Sequence, residues 1–167
     1  AGERVARELK CILATQIVMD GKKTVWAQHT DALTLEPVSG RNFEPAALSA
    51  GESADLLESL MSLPHPSKEL VAAIHAAAAW LKSAEIYGYE YGGGRGTEGG
   101  RQLKAKEGSG PLWARYYSLT TGKPVFGDRD KTIHDNVNEL SLERRNGYAW
   151  YSGGEQKALD EYAVWSK

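Results

Sequence analysis

The first clear pattern along the chain is an apolar face at helical spacing near its start. It predicts a helix from Glu3 to about Met19, because residues three or four positions apart lie on one side of an α-helix. The residues on this face are Val5, Leu9, Ile12, Leu13 and Gln16. The pair Asp20-Gly21 follows and favours the tight turn of a β-hairpin, so a short two-stranded ribbon follows the helix or replaces its last turn.

Two more helices are predicted in the middle of the chain. An apolar stripe indicates a helix from about Ala50 to Leu63, and Ser49 and Glu52 have the spacing of a capping box at its start. Prolines then interrupt the pattern, and Ser67 is placed to cap a helix that runs from 68 to about 86. The two stripes comprise Leu56, Leu57, Leu60 and Met61, and then Leu70, Val71, Ile74, Ala77, Ala78 and Leu81.

The next segment lacks such periodicity. Nine glycines lie between Gly88 and Gly110 and predict an irregular, mobile and basic loop. The cations in this loop are Arg95, Arg101, Lys104 and Lys106. A formal dinucleotide-binding match, Gly94-x-Gly96-x-x-Gly99, has no apolar strand before it and no apolar helix after it, so it does not predict a nucleotide site.

Helical patterns return toward the end of the sequence. Residues 112–117 form a short helical or extended piece, 136 to about 146 indicates a helix, and a last helix is expected from about Glu155 to Val164. With four or five helices and no domain boundary, the pattern predicts one domain over residues 1–167. The predicted fold class is all-α, with long irregular loops and a possible short β-hairpin.

Composition and charge exclude several classes of partner. The sequence is 41% hydrophobic and 25% charged, which is typical of one soluble globular domain, and its apolar runs are shorter than the roughly 20 residues that cross a bilayer. The net charge of -2 argues against a nucleic-acid binder that depends on a strongly positive surface. We therefore predict neither a nucleic-acid nor a membrane partner.

Cysteine and histidine usage exclude further chemistries. Cys11 is the only cysteine, so neither an intrachain disulfide nor a metal site with several thiolates can form, and we expect this thiol to be buried and unreactive. The four histidines include no His-x-x-x-His pair, and no serine or cysteine lies in a recognised nucleophile motif. Hydrolysis by zinc or by a catalytic triad therefore has no support.

Candidate chemistry lies in a polar stretch and in two arginine-aromatic segments. The stretch Thr24–Ser53 has the character of an ordered binding or catalytic loop. The two segments are Trp113-Ala-Arg115-Tyr-Tyr and Arg144-Arg-Asn-Gly-Tyr148-Ala-Trp-Tyr151. Guanidinium groups bind carboxylates through paired hydrogen bonds and aromatic faces suit sugar rings, so the combination fits an acidic saccharide. Alternatively, the arginines pair with acidic residues at helix junctions and the aromatic rings fill the core.

A series of short motifs runs through nearly the whole chain. They are Val25-Trp26, Asp31, Thr34-Leu35-x-Pro37, Arg41, Glu44-Pro45, Leu48-Ser49, Gly51-Glu52-Ser53, Leu60-Met61-Ser62-Leu63, Pro111-Leu-Trp-Ala-Arg115-Tyr-Tyr and Glu143-Arg-Arg-x-Gly-Tyr148-Ala-Trp-Tyr151. In order and approximate spacing this series resembles the family 10 pectate lyases. The resemblance implies a secreted, extracellular enzyme with an (α/α) toroid fold, or part of one.

The same resemblance implies an activity and a cofactor. Such an enzyme cleaves de-esterified polygalacturonate by β-elimination to 4,5-unsaturated oligogalacturonates, with Ca2+ at the site and polygalacturonate or oligogalacturonate as its partner. The C5 proton of galacturonate is weakly acidic, so a cation on the adjacent carboxylate and arginine contacts would stabilise the charge that develops when this proton leaves.

Residue roles are carried over from the matching motif positions. Arg115 matches the catalytic base, an unusual assignment because the pKa of arginine lies above about 12. Asp31 matches an aspartate of the calcium and substrate site, and carboxylate oxygen is a ligand that calcium prefers. The substrate-binding residues implied are Arg41, Glu44, Trp113, Arg145 and Tyr148.

Two departures from the family pattern limit these expectations. The Gln-His pair after Trp26 is shifted by one position, so His29 is not expected to be catalytic. The chain also corresponds to about the C-terminal half of such a catalytic domain, so we expect association with an N-terminal half or with a second copy. The runner-up hypothesis is a non-catalytic module that binds acidic polysaccharides through Arg41, Arg115 and Arg145. A third is a helical interaction protein without a sugar ligand.

Overall fold

A computed structural model describes residues 2–94 and 96–167, with side chains from Ala6 onward. The positions predicted for the Val5 side chain and for Arg95 lie outside this description. The elements of the described residues are, in chain order, α1 (Gly2–Thr15), β1 (Val18–Met19), β2 (Lys22–Lys23), β3 (Ala47–Ser49), α2 (Ala50–Met61), α3 (Lys68–Ser83), β4 (Tyr89–Gly92), β5 (Gln102–Ala105), β6 (Trp113–Ala114), β7 (Tyr116–Ser118), β8 (Phe126–Gly127), β9 (Ile133–His134), a 3₁₀-helix (Val137–Glu139), α4 (Leu142–Gly147), β10 (Tyr151–Ser152) and α5 (Glu155–Trp165).

The prediction of an all-α fold is wrong. The strands form five two-stranded antiparallel sheets beside the helices, so the fold is mixed rather than an all-α toroid. Two of these sheets join distant parts of the chain, since β3 pairs with β7 and β6 pairs with β10. Each strand has only two to four residues, which is too short for the alternation of apolar and polar positions that reveals a strand in a sequence.

The helices that the apolar stripes predict are present. The helices α2, α3 and α5 begin at the expected residues, and the Ser67 hydroxyl caps α3 by accepting a hydrogen bond from the Leu70 amide at 3.2 Å. At the start of α2 the expected capping box does not form. The Ser49 side chain accepts no backbone hydrogen bond there, and its hydroxyl instead donates to the Glu52 carboxylate.

Three segments differ from their predicted form. The helix α1 ends at Thr15, and the following hairpin of β1 and β2 turns at Asp20 and Gly21, whose φ angles are 49° and 75°. The segment 88–110, expected to be an irregular loop, contains the β4–β5 hairpin. The helix expected from 136 to 146 is divided, because Leu140 is extended with φ -64° and ψ 154° between the 3₁₀-helix and α4.

The core lies between α2, α3, α5 and the paired strands. Its largest fully buried side chains are Trp113, Trp150, Tyr116, Phe126, Leu48, Leu57, Ile74, Leu81 and Val25. The two tryptophans have partners for their indole N–H groups: Trp113 donates to the Leu81 carbonyl at 2.8 Å and Trp150 to the Arg144 carbonyl at 3.0 Å. Polar atoms of the aromatic core are thus satisfied where β6 and α4 meet it.

Two features of the periphery bear on the sequence predictions. Cys11 is exposed on α1, not buried, because it lies beside the apolar face formed by Leu9, Ile12 and Leu13. Among the described residues, no helix combines the length and apolar character needed to cross a bilayer.

Candidate functional site

A buried carboxylate, that of Glu44, lies at the centre of a polar cluster. It is 2% exposed, and the chain reaches it through a tight turn in which the Glu44 amide donates to the Arg41 carbonyl at 2.8 Å. Glu44 Oε1 accepts hydrogen bonds from the Arg41 guanidinium at 2.5 Å and from the Tyr148 hydroxyl at 2.7 Å. The Arg41 side chain is the main cause that holds the pKa of Glu44 down at about 2, so this carboxylate is charged at neutral pH.

Two tyrosines extend the cluster from Glu44 toward Gln28. The hydroxyl oxygens of Tyr148 and Tyr116 are 2.8 Å apart, and the Tyr116 hydroxyl also donates to the side-chain oxygen of Gln28. Burial raises the pKa of both tyrosines, so both phenols remain protonated at neutral pH. The chain of contacts therefore provides hydroxyl groups but no phenolate.

Arg115 borders this cluster and is held in one orientation. It lies between β6 and β7, where its amide donates to the Trp150 carbonyl at 2.8 Å. Its guanidinium pairs with Glu52, and its central carbon lies 4.7 Å from the centroid of the Tyr148 ring. Burial lowers the pKa of Arg115, but the charge of Glu52 and the nearby phenols outweigh it, so the pKa is raised overall. With 25% of its side chain exposed, Arg115 is a fixed cation that a ligand can reach.

Further arginines surround the ring of Phe43, next to Glu44. The guanidinium carbons of Arg41, Arg144 and Arg129 lie 4.7, 4.2 and 5.6 Å from its centroid. Arg144 and then Arg129 lower the pKa of Glu143, to which both are hydrogen-bonded. Arg144 is nearly buried, whereas 62% of the Arg129 side chain is exposed.

Arg129 and Arg144 were missed by the sequence reasoning. Arg144 lies beside Arg145 in the motif from Glu143 to Tyr151. The sequence does not show that Arg144 is the more buried of the two. No local sequence pattern marks Arg129. Gly127, two positions before it, lets its segment approach Phe43, because a Cβ at Gly127 would lie 2.5 Å from the Phe43 carbonyl oxygen.

The structure brings together four of the residues that the resemblance implied, namely Arg115, Arg41, Glu44 and Tyr148. Trp113 is not among them. Its side chain is fully buried, so it supports β6 from the core and is not in reach of a ligand. The contacts of Arg145 lie on the β4–β5 side, where its guanidinium donates to the Arg101 carbonyl at 3.4 Å and its own carbonyl accepts from the Tyr91 hydroxyl at 2.8 Å.

His29, which was not expected to be catalytic, contacts the cluster. Its Nε2 lies 3.5 Å from Glu44 Oε2. Gly40 makes this approach possible, because a Cβ at this position would lie 2.4 Å from His29 Nε2 and 2.7 Å from Glu44 Oε2. The imidazole and the carboxylate therefore occupy the space that a side chain at position 40 would need.

The Asp31 carboxylate is engaged in its own turn. Its Oδ1 accepts hydrogen bonds from the Leu33 amide at 2.9 Å and from the Thr34 amide at 2.8 Å, and the Thr34 amide is the main cause of its lowered pKa. Calcium takes six to eight oxygen ligands. Among the side chains described from Ala6 onward, no group of three or more acidic, histidine or cysteine residues is placed to hold a metal ion, so Asp31 belongs to no such group there.

Comparison with known proteins adds a family to this geometry. The family described as pectic acid lyase matches residues 2–159. The chain belongs to this family. No curated protein matches it.

Two solved structures are similar to this family member over almost its whole length. One is a mutant of the family 10 polysaccharide lyase from Cellvibrio cellulosa in complex with trigalacturonic acid, with 30% identity, a TM-score of 0.88 and 98% of this chain covered. The other is the family 10 polysaccharide lyase from Cellvibrio cellulosa, with 31% identity, a TM-score of 0.84 and 96% covered. The chain spans only about half of those chains, 50% and 49% of their lengths.

Proposed function

We propose that this chain is the portion of a pectate lyase that binds the uronate groups of de-esterified polygalacturonate. The observation that carries the proposal is the likeness, at 30% identity, to a polysaccharide lyase that holds trigalacturonic acid. The Glu44 cluster supports it, because Arg115, Arg41 and Arg129 form a cationic surface with exposed or partly exposed guanidinium groups. Guanidinium groups in fixed positions suit the regularly spaced carboxylates of such a polymer.

The proposed reaction is a β-elimination that yields 4,5-unsaturated oligogalacturonates. A base removes the C5 proton, the electron pair of that bond forms the double bond between C4 and C5, and the bond from C4 to the glycosidic oxygen breaks. The leaving oxygen then takes up a proton. Negative charge accumulates on the uronate carboxylate during proton removal, so the cations that contact this carboxylate accelerate the step.

Arg115 and Arg41 fit the role of carboxylate ligands in this scheme. Both are paired with carboxylates, Arg115 with Glu52 and Arg41 with Glu44, and the pKa of each is raised. A guanidinium must first lose a proton to act as a base, and a raised pKa opposes that loss. The assignment of Arg115 as the base therefore requires that substrate first displaces Glu52, and it stays a prediction that substitution can test.

Calcium dependence also remains a prediction from the family. Asp31 Oδ1 accepts the hydrogen bonds of its turn, which leaves Oδ2 as the oxygen that this residue would offer to the ion. The other ligands would come from the substrate or from protein beyond the described residues. Calcium-dependent quenching of tryptophan fluorescence in the presence of trigalacturonate, lost in Asp31→Asn, would support this role without relying on turnover.

The decisive experiment measures binding and turnover in the same preparation. The chain is given polygalacturonate and calcium at alkaline pH, alone and with the N-terminal half of a family 10 lyase, and unsaturated product is followed by ultraviolet absorbance. Arg115→Ala should abolish turnover and leave trigalacturonate binding largely intact if Arg115 is the base. It should weaken both if Arg115 holds the carboxylate. Lys123→Ala, a change of an exposed cation away from the cluster, is the control.

A non-catalytic module that binds acidic polysaccharides is the second candidate. It would use the same exposed or partly exposed guanidinium groups of Arg41 and Arg115, each held in place by a carboxylate partner, to bind uronate groups without proton removal. Calorimetry that shows binding of trigalacturonate, without any product even after the N-terminal half is supplied, would select this alternative.

The enzyme is also expected to be secreted, since its proposed substrate is an extracellular polymer. Fractionation of the producing cells tests this location.

A further inference from the structure

A cavity of about 420 Å³ lies next to Arg115 and between the N-terminal ends of α2 and α5. Its walls include Gly51, Glu52, Asp55, Tyr151, Ser152 and Glu155, and Arg115 also borders it. Its volume is within the range of about 300–1,000 Å³ that is typical of small-ligand sites. Arg115 is thus shared between this cavity and the Glu44 cluster.

The charges in this cavity are not those of a uronate site. The two cations that line it are already paired, Arg115 with Glu52 and Lys157 with Glu58. The Asp55 carboxylate has no ion pair with any described residue. The cavity is thus lined by two cations and four acidic groups, whereas, among the described residues, the surroundings of Phe43 hold three paired arginines and only two carboxylates, those of Glu44 and Glu143.

Glu155 is the most unusual residue of the cavity. It is only 3% exposed, and its Oε2 atom has no hydrogen-bond partner among the described residues. Buried carboxylates in native proteins nearly always have a partner. Burial raises the pKa of Glu155, and the charges of Glu52 and Asp55 act in the same direction. A buried carboxyl group that lines a cavity with one oxygen, Oε2, free of partners is suited to form a hydrogen bond with a hydroxyl group of a ligand.

The remaining wall suits the apolar face of a sugar ring. Tyr151 lines the cavity with a half-buried ring that packs against Phe126 at a centroid distance of 5.5 Å. Acidic side chains that accept from hydroxyl pairs, together with an aromatic face, are a common arrangement for uncharged sugars. A uronate would place its negative charge near Asp55 and Glu155, and this repulsion disfavours it.

We propose that this cavity binds an uncharged pyranose unit, such as a methyl-esterified galacturonate, beside a uronate held at Arg115. The inference rests on the proposed function, because the uncharged unit in this cavity would belong to the same polymer whose uronate groups bind at Arg115. It predicts that the chain accepts partly esterified polygalacturonate, with esterified units directed to the α2–α5 side of Arg115.

The test compares two monosaccharide probes that differ at C6, where one has an uncharged hydroxymethyl group and the other a charged carboxylate. Methyl galactopyranoside and methyl galactopyranosiduronate are titrated into the full chain, and backbone amide shifts are followed by NMR. The amides of Ala54, Ala149 and Ser152 report on the cavity, and those of Phe43 and Tyr148 report on the cationic cluster. The neutral sugar should shift the cavity amides with an affinity at least about threefold higher than that of the uronate, because the carboxyl groups of the cavity repel the uronate.

Two variants and one control make the test specific. Glu155→Gln keeps the shape and removes the charge, so the preference of the cavity for the neutral sugar should fall toward unity. Gly51→Gln directs a side chain toward Glu155, because a Cβ at position 51 lies 3.7 Å from Glu155 Oε1, and it should abolish the cavity shifts. Glu107→Gln, at an exposed turn, should change neither result.

The outcomes separate this inference from the proposed function. Cavity shifts that are equal for both probes, or that persist in Gly51→Gln, would overturn the inference. So would the absence of any cavity shift with the neutral sugar. If trigalacturonate shifts the amide signals of neither Phe43 nor Tyr148, the proposed function fails instead. These amides differ from those that report on the cavity, so the two failures can be told apart.

Discussion

Glu44 shows how much of this site depends on one side chain. A single buried carboxylate accepts hydrogen bonds from the Arg41 guanidinium, the Arg41 amide and the Tyr148 hydroxyl. These contacts fix the positions of a cation and a phenol that would otherwise be mobile on the surface. The orientation of the cationic surface is therefore tied to the ionisation of Glu44.

Replacing Glu44 by Gln tests this link through pH. The pKa of Glu44 is lowered from 4.5 to about 2, so its contribution to stability is complete above pH 4.5 and is lost as the pH falls through about 2. Glu44→Gln should lower the melting temperature by a few degrees at pH 7. The difference from the wild type should shrink as the pH approaches 2. A thermal-melt series over pH, with Glu107→Gln as control, checks this, and a pH-independent difference would contradict it.

Gly40 offers a steric test of the same cluster. Gly40→Ala would place a methyl group within 2.7 Å of both His29 and Glu44, which forces one of them to move. Overpacking of this kind costs about 1–3 kcal/mol of the free energy of unfolding. We expect weaker trigalacturonate binding as well, measured by calorimetry. The control is Gly92→Ala, where a Cβ meets no atom within 4 Å; equal effects of the two changes would refute the steric argument.

For individual residues, the sequence motifs predict which side chains bind a ligand, but they do not predict where each of these side chains lies in the fold. Arg41, Glu44 and Tyr148 were chosen from motifs and do lie together. Trp113 was chosen from the same kind of motif, yet its ring faces the core, because the direction of a side chain depends on how β6 is paired. No local sequence pattern reveals that pairing.

Among the secondary-structure elements, α2 and α3 are both preceded by a serine at the capping position, but only the serine before α3 caps its helix. Ser67 caps α3, whereas Ser49 precedes α2 without accepting a backbone hydrogen bond. Glu52, the expected second half of that capping box, is hydrogen-bonded to Ser49 and to Arg115. The reason lies in residues far apart in the chain, so a search over neighbouring positions could not find it.

The Ser67 cap of α3 can be tested by substitution. Ser67→Ala removes the acceptor for the Leu70 amide and should cost about 1 kcal/mol of the free energy of unfolding. Ser67→Asp keeps an acceptor and should retain most of the stability. Urea denaturation of the three proteins measures both effects. Equal stability of the Ala and Asp variants would show that the cap is not used.

The β4–β5 hairpin lies in a glycine-rich segment that the sequence pattern predicts to be an irregular loop. Its two strands are only four residues long, and the glycines lie mostly in the connection between them. Glycine richness predicts turns correctly but does not indicate how the residues on either side pair.

For the whole molecule, the balance between net and local charge determines how a polyanion binds. The chain carries a net charge of -2, yet Arg41, Arg115 and Arg129 lie on one surface. Long-range attraction is therefore weak and short-range pairing dominates. The fold class could not be predicted for a related reason: β3–β7 and β6–β10 join distant segments, and such pairing depends on the assembled core.

This distribution of charge gives a salt prediction. Trigalacturonate affinity should fall between about 50 and about 300 mM salt, because the screening length for exposed charges shortens from about 14 Å to about 6 Å over this range. Arg129→Gln should reduce both the affinity and its dependence on salt. Calorimetry at the two salt concentrations measures this. An unchanged salt dependence in Arg129→Gln would remove this residue from the binding surface.

The position of Glu52 couples the site to the helix beneath it. The same carboxylate contacts Ser49 at the start of α2 and the guanidinium of Arg115. A uronate that takes Arg115 exchanges partners with Glu52, which frees this carboxylate to interact with the positively polarised N-terminal end of α2. Ligand binding would then slow hydrogen exchange in the first turn of α2, and the helix end would act as a built-in reporter of site occupancy.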